Sequence, residues 1–111
     1  MKVCIPMTSE GRAGAGWGRA PRVGLATITD GEIADWQEVD VRWDVLHDEG
    51  TDGQHHARVA RFLREHEVSL VVVGQMGPGM ARMLATMGIR TAPGTGEDAR
   101  AAVLAAVRSL A

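Results

Sequence analysis

The sequence predicts an α/β fold: a single domain with a five-stranded mixed sheet flanked by three helices, in the order β-β-β-α-β-α-β-α. Three observations carry this. Asp30-Gly31 sits between two strand-like runs and supplies two residues that tolerate positive φ, the strongest short-range signal for a hairpin. From Gln54 the apolar spacing changes to a helical period, with Val59, Phe62, Leu63 and His66 on one side and Arg58, Arg61 and Glu65 on the other. Leu70-Val71-Val72-Val73 is a continuous apolar run suited to a parallel strand covered on both faces. With 111 residues the chain fits one domain, residues 1–111, with room for a core that needs no staples.

The elements follow in order. Residues 2–5 form a β-branched run that Pro6 is expected to end, because proline donates nothing to a ladder. Gly11, Gly14, Gly16 and Gly18 make the next stretch a loop. Residues 22–29 read as the second strand and 32–41 as the third. In the third, Ile33, Val39 and Val41 share a parity that Trp36 breaks, which calls for a bulge or burial on both sides. Residues 43–53 are polar and acidic and read as a mobile loop before the first helix. The run at 70–73 is expected to be the central parallel strand. Pro78 suits the first turn of a second helix that reaches about Met87 and stops at Gly88. Residues 89–91 give a fifth strand. Thr95 is the expected cap of a last helix, with Glu97 and Asp98 in its first turn, Arg108 near its end and a stripe of Ala99, Val103, Ala106, Val107 and Leu110.

Composition narrows the function. Hydrophobic residues at 45% and charged residues at 23% describe an ordinary globular protein. The one cysteine, Cys4, has no partner for an internal bridge. No leader-type or membrane-spanning apolar block is present, so a cytoplasmic location is expected, as a monomer or small homo-oligomer. Nine acids and one base lie between Asp30 and Asp52, leaving 11 bases and 5 acids elsewhere, a dipolar pattern able to orient a charged ligand or a solvated hairpin face. With a net charge of −2 and no concentrated basic patch, nucleic acid is not an expected partner.

Ligands of open α/β sheets sit outside the carboxyl ends of the parallel strands, where three loops, 8–21, 43–54 and 74–79, are expected to converge. The first matches neither a dinucleotide fingerprint nor a phosphate loop, since Arg19 stands where the third glycine belongs and no GK[ST] exists. Gly77-Pro78-Gly79 at a helix start offers backbone N–H groups to an anion, or is simply a tight turn. His55-His56, with His47 eight residues earlier, are candidate metal ligands in no standard motif; the commoner use of such histidines is as surface residues. Met76, Met80, Met83 and Met87 recur at helical spacing, as core packing or as soft sulfur ligands. Trp17 in a glycine loop reads as a ligand lid, an interface anchor or a plug. No nucleophile elbow and no carboxylate cluster for two-metal chemistry is present, so the chain is not expected to be an enzyme.

Trp17-Gly18-Arg19-Ala20-Pro21 resembles the F-G-R-A-P element of the dinitrogenase iron–molybdenum cofactor-binding family, which includes NifX-type carriers and the C-terminal part of NifB. Met1 to Pro6, Ile28 to Ile33, Val71 to Gly79 and Gly88 to Thr91 are similar to that family's opening strand, hairpin, strand with G-x-x-G-P, and G-I-x-[VT] strand. The resemblance implies a ribonuclease H-like fold and a non-enzymatic carrier of an iron–sulfur or iron–molybdenum type cluster, working with cluster-assembly proteins. Its rival is a cofactor-free interaction or regulatory module that docks a partner through Trp17 and the acidic hairpin. The expected cofactor contacts are Trp17, Gly18, Arg19, His55, His56, Gly77 and Pro78, with His55 and His56 as metal ligands. Gly16 occupies the place where many relatives carry a histidine, Trp17 replaces their phenylalanine, and Gly53-Gln54-His55-His56 keeps part of their histidine- and glycine-rich middle loop.

Overall fold

The computed structural model describes residues 1–14 and 16–110; of the expected domain 1–111, Ala15 and Ala111 lie outside the described residues. Five strands, β1 (Lys2–Met7), β2 (Arg22–Thr29), β3 (Glu32–Val39), β4 (Leu70–Val72) and β5 (Arg90–Ala92), form one mixed sheet in the order β3-β2-β1-β4-β5. β1, β2 and β3 pair antiparallel, whereas β4 and β5 join in parallel. This order is compatible with the ribonuclease H-like arrangement. Four helices, not the expected three, accompany the sheet among the described residues: α1 (Trp43–Leu46), α2 (Asp52–Glu65), α3 (Pro78–Thr86) and α4 (Ala99–Ser109).

Several boundaries differ from expectation for local reasons. β1 runs through Pro6 to Met7. Met1 and Ile28 exchange both backbone hydrogen bonds, at 3.2 and 2.8 Å, so residues 3, 5 and 7 bond β2 while Lys2, Cys4 and Pro6 turn toward β4. Pairing with β4 is complete at Cys4, so the missing Pro6 N–H costs no ladder bond. The central strand is therefore β1, with β4 beside it. β3 ends at Val39, and its register shifts between Thr27 and Ile28, leaving Ala34 as the extra residue. That bulge brings Ile33 opposite Ile28 and Trp36 opposite Ala26, on one face despite their different parity.

The segment expected as a mobile loop contains α1. Arg42, at φ 57°, swings the chain back, and its N–H donates to the Pro21 carbonyl while that of Trp43 donates to Ala20, both at 3.0 Å. α2 then starts two residues earlier than expected. Thr51 Oγ1 accepts from the Gln54 N–H at 3.1 Å and Gln54 Oε1 accepts from the Thr51 N–H at 2.9 Å, a reciprocal cap. α3 ends at Thr86 and β5 spans Arg90–Ala92, each one residue from expectation; Gly88 at φ 75° makes the turn between them. The cap of α4 is Asp98, whose carboxylate accepts from the Ala101 N–H at 3.1 Å, and neither Thr95 nor Glu97 belongs to the helix. Residues before it are held extended by the glycine loop: the Ala13 N–H donates to Glu97 at 2.8 Å and Arg12 bridges Asp98, which delays the helix start.

Two cores result. On one face Val23, Leu25 and Val71 pack under α2 and α3 with Val59, Leu63 and Leu84. On the other Val3, Ile5, Leu70 and Val72 pack under α4 with Ala102 and Val103. No helix among the described residues is long and apolar enough to cross a membrane.

Candidate functional site

The three loops meet at the carboxyl ends of β1 and β4, around a cleft of about 730 Å³. Parallel pairing of β1 with β4 brings their exits side by side, so the glycine loop after β1 runs along the turn after β4. Gly16 bridges Gln75, and the Trp17 N–H donates to the Gln75 carbonyl at 3.2 Å. A turn closed by the Ala20 N–H on the Trp17 carbonyl, at 3.3 Å, leads into β2.

Trp17 is a plug. It is 1% exposed, and its ring meets the edge of Trp43 at 5.1 Å between centroids. Trp43 in turn packs edge-on against Phe62 at 5.6 Å, which is how α1 and α2 are fixed to the glycine loop. A buried ring offers no surface to a partner, so the interface-anchor reading of Trp17 fails. Its Nε1 has no hydrogen-bond partner among the described residues. Sealing a donor away from acceptors costs about 1–3 kcal/mol.

His55 is likewise not a surface residue: it is 2% exposed, the one buried polar side chain among the described residues. Its Nε2 lies 2.7 Å from the Gly18 carbonyl oxygen and its Nδ1 lies 2.8 Å from Arg58 Nη1. A carbonyl only accepts and a guanidinium only donates, so Nε2 carries the proton and Nδ1 accepts, the neutral tautomer with both nitrogens engaged. Burial pushes the pKa of His55 down; the Gly18 carbonyl opposes this, and His47, Arg58 and His56 add to it. Arg58 also donates to the Leu46 carbonyl at 3.2 Å, tying α1 to α2.

His56 stands about 100° further round α2, on the α3 side of the same cleft. A Cβ on Gly79 would stand 3.0 Å from its Cε1, so the imidazole rests against the first turn of α3 because position 79 has no side chain. His47 sits on the opposite rim, its ring 5.1 Å from that of His55 and its Nδ1 3.3 Å from Asp48 Oδ1. Arg19, largely exposed, reaches the same Asp48 carboxylate only at 3.9 Å.

Of the residues singled out by sequence, Trp17, Gly18, Arg19, His55, His56 and Gly77 line the cleft. Pro78 does not; it occupies the first helical position of α3, where its missing N–H is harmless. Beyond it, the N–H groups of Gly79 and Met80 have no acceptor within the helix and give the cleft a positive end. Gly16, His47, Gly74, Gln75, Met76, Gly79 and Met80 complete the lining. The methionine stripe divides: Met76 and Met80 border this cleft, while Met83 and Met87 line a separate groove with Arg64 and Arg82. Cys4 does not line the cleft; it is fully buried in β1, and burial pushes its thiol pKa up. Among the described residues no group of three or more histidine, cysteine, aspartate or glutamate side chains is placed to hold a metal ion.

The structure of PH0822 superposes with a TM-score of 0.77 at 17% identity, covering 98% of this chain and 92% of that one. A candidate dinitrogenase from Methanocaldococcus jannaschii, mj0327, gives 0.72 at 14% identity, covering 98% and 89%. At such identities the likeness is one of fold. No curated protein matches the chain. The family described as dinitrogenase iron–molybdenum cofactor matches residues 1–109, nearly the whole sequence, and the chain belongs to that family.

Proposed function

We propose that the cleft takes up a preformed anionic metal–sulfur cluster, of the iron–sulfur or iron–molybdenum type, as cargo, and passes it to cluster-assembly proteins in the cytoplasm without a catalytic step of its own. The observation that carries this reading is the kind of lining the three loops share. Glycines at 16, 18, 74, 77 and 79 leave stretches of bare backbone between the side chains of the rim, and the α3 terminus contributes N–H groups. Arg19 adds an exposed cation and His56 a ring at the edge. Such a lining suits a bulky anion that arrives with its metals already bonded to sulfide. It suits a bare ion poorly, since the donor set for chelation is too sparse. Family membership supports the same class of cargo.

The test is metal and sulfide content, with a visible spectrum, of protein purified without oxygen and supplied with iron, sulfide and molybdate. Stoichiometric cluster in the wild type, lost in Arg19→Ala and reduced in His56→Ala, is the expected result. A colourless, metal-free protein under every supply condition would overturn the reading.

A further inference from the structure

We infer that His55 is a positioning residue and not a ligand: its imidazole latches the glycine loop to α1 and α2, and so sets where Gly18 and Arg19 stand in the cleft. The inference deepens the cargo reading, on which its binding arm rests, and it reassigns the more buried half of the histidine pair.

The geometry leaves His55 no free lone pair. Nε2–H donates to the Gly18 carbonyl, and the only lone pair, on Nδ1, accepts from Arg58. Ligation through Nε2 would strip a proton and release Gly18; ligation through Nδ1 would displace a guanidinium and leave it facing a metal cation. Each costs a charge-assisted or buried hydrogen bond. The chain Leu46 carbonyl, Arg58, His55, Gly18 carbonyl instead joins elements 37 residues apart in sequence.

Position 18 needs such a hold. The glycines at 14, 16 and 18 leave the loop with little intrinsic stiffness. On the β4 side the backbone is fixed by Gln75, at Gly16 and Trp17. His55 supplies the anchor on the helix side, immediately before Arg19. His56 and His47, which line the cleft without this double engagement, are left as the rings able to meet a cargo.

Two variants and one spectrum test the latch. Glutamine places an amide N–H near the position of Nε2–H yet is a poor ligand for iron or zinc. His55→Gln is expected to keep wild-type loop resonances and cluster uptake, while His55→Ala, folded by circular dichroism, loses about tenfold in uptake, the value of one hydrogen bond at roughly 1.4 kcal/mol. Long-range proton–nitrogen spectra are expected to show His55 as the Nε2–H tautomer, unchanged on adding zinc ions alone, while His47 or His56 responds. A glutamine variant as deficient as alanine, or a His55 ring that loses its Nε2 proton to zinc, would overturn the latch. Should the wild type take up no cluster at all, the cargo reading falls, and the latch is then decided by the tautomer and by the loop resonances of His55→Gln.

Discussion

The two faces of the sheet are packed from different chemistries. Under α4 the core is aliphatic and alanine-rich, with Ile5, Leu70, Val72 and Val103 at its centre and, among the described residues, one aromatic ring at its margin, Trp36, capped by Arg100 at 5.2 Å. Under α2 and α3 the core includes Trp17, Trp43 and the buried His55, which lead into the cleft. Aliphatic contacts are non-directional and scale with area, so the first face supplies stability without dictating the positions of loops. Aromatic edges and hydrogen-bonded rings have preferred geometries, so the second face fixes where loops stand.

Substitutions on the two faces should therefore separate stability from cleft geometry. The largest effect is expected for Ile5→Ala, a fully buried side chain on the α4 face: a loss of about 2–5 kcal/mol in urea unfolding, with the indole and imidazole resonances of the cleft unmoved in the folded protein. Cleft resonances that shift as far as those of α4 would show that the faces are not separable. An intermediate effect belongs to His55. Above the unfolded pKa of 6.5 the ring is neutral folded or unfolded; below it the unfolded chain takes a proton that the native ring, with its lowered pKa, refuses. Stability is thus complete above that pH and falls as pH drops toward the folded pKa, by at most about 1.4 kcal/mol per unit. Urea midpoints between pH 7 and 5 should fall more steeply for wild type than for His55→Gln, and parallel slopes would show that folding does not lower the pKa of His55. The smallest effect is expected for Trp17→Phe, within about 1 kcal/mol, because the lost packing is offset by removing an indole N–H that has no acceptor among the described residues. A loss near that of a Trp→Ala change, about 3–5 kcal/mol, would mean that Nε1 is bonded to a buried water.

Much of this contrast was legible in residue order. The hairpin at Asp30-Gly31, the parallel run at 70–73 and the convergence of three loops follow from turn chemistry and periodicity, which are local. α1 was not legible, since four residues form no periodic pattern and Trp43 is helical because Arg42 turns the chain and Trp17 and Phe62 receive its ring. The burial of His55 had a signal that passed unused: His55, Val59 and Leu63 are spaced i, i+4, i+8, one stripe of α2. The T-x-x-Q box at Thr51 likewise announced the start of α2. Asp98 over Thr95 as the α4 cap depends on contact with residues 12 and 13, far away in sequence, and no local pattern encodes it.

The bulge at Ala34 bears on how copies of this protein meet. β3 is a sheet edge eight residues long, and a straight edge of that length is a template on which another chain can grow as an added strand. Here the ladder is interrupted partway, and Glu32, Asp35 and Glu38 stand exposed along it with Asp40 just beyond. A second β3 laid against the first would stack carboxylates on carboxylates across a broken register. The edge is thereby protected from fibre growth by its own charge and shape.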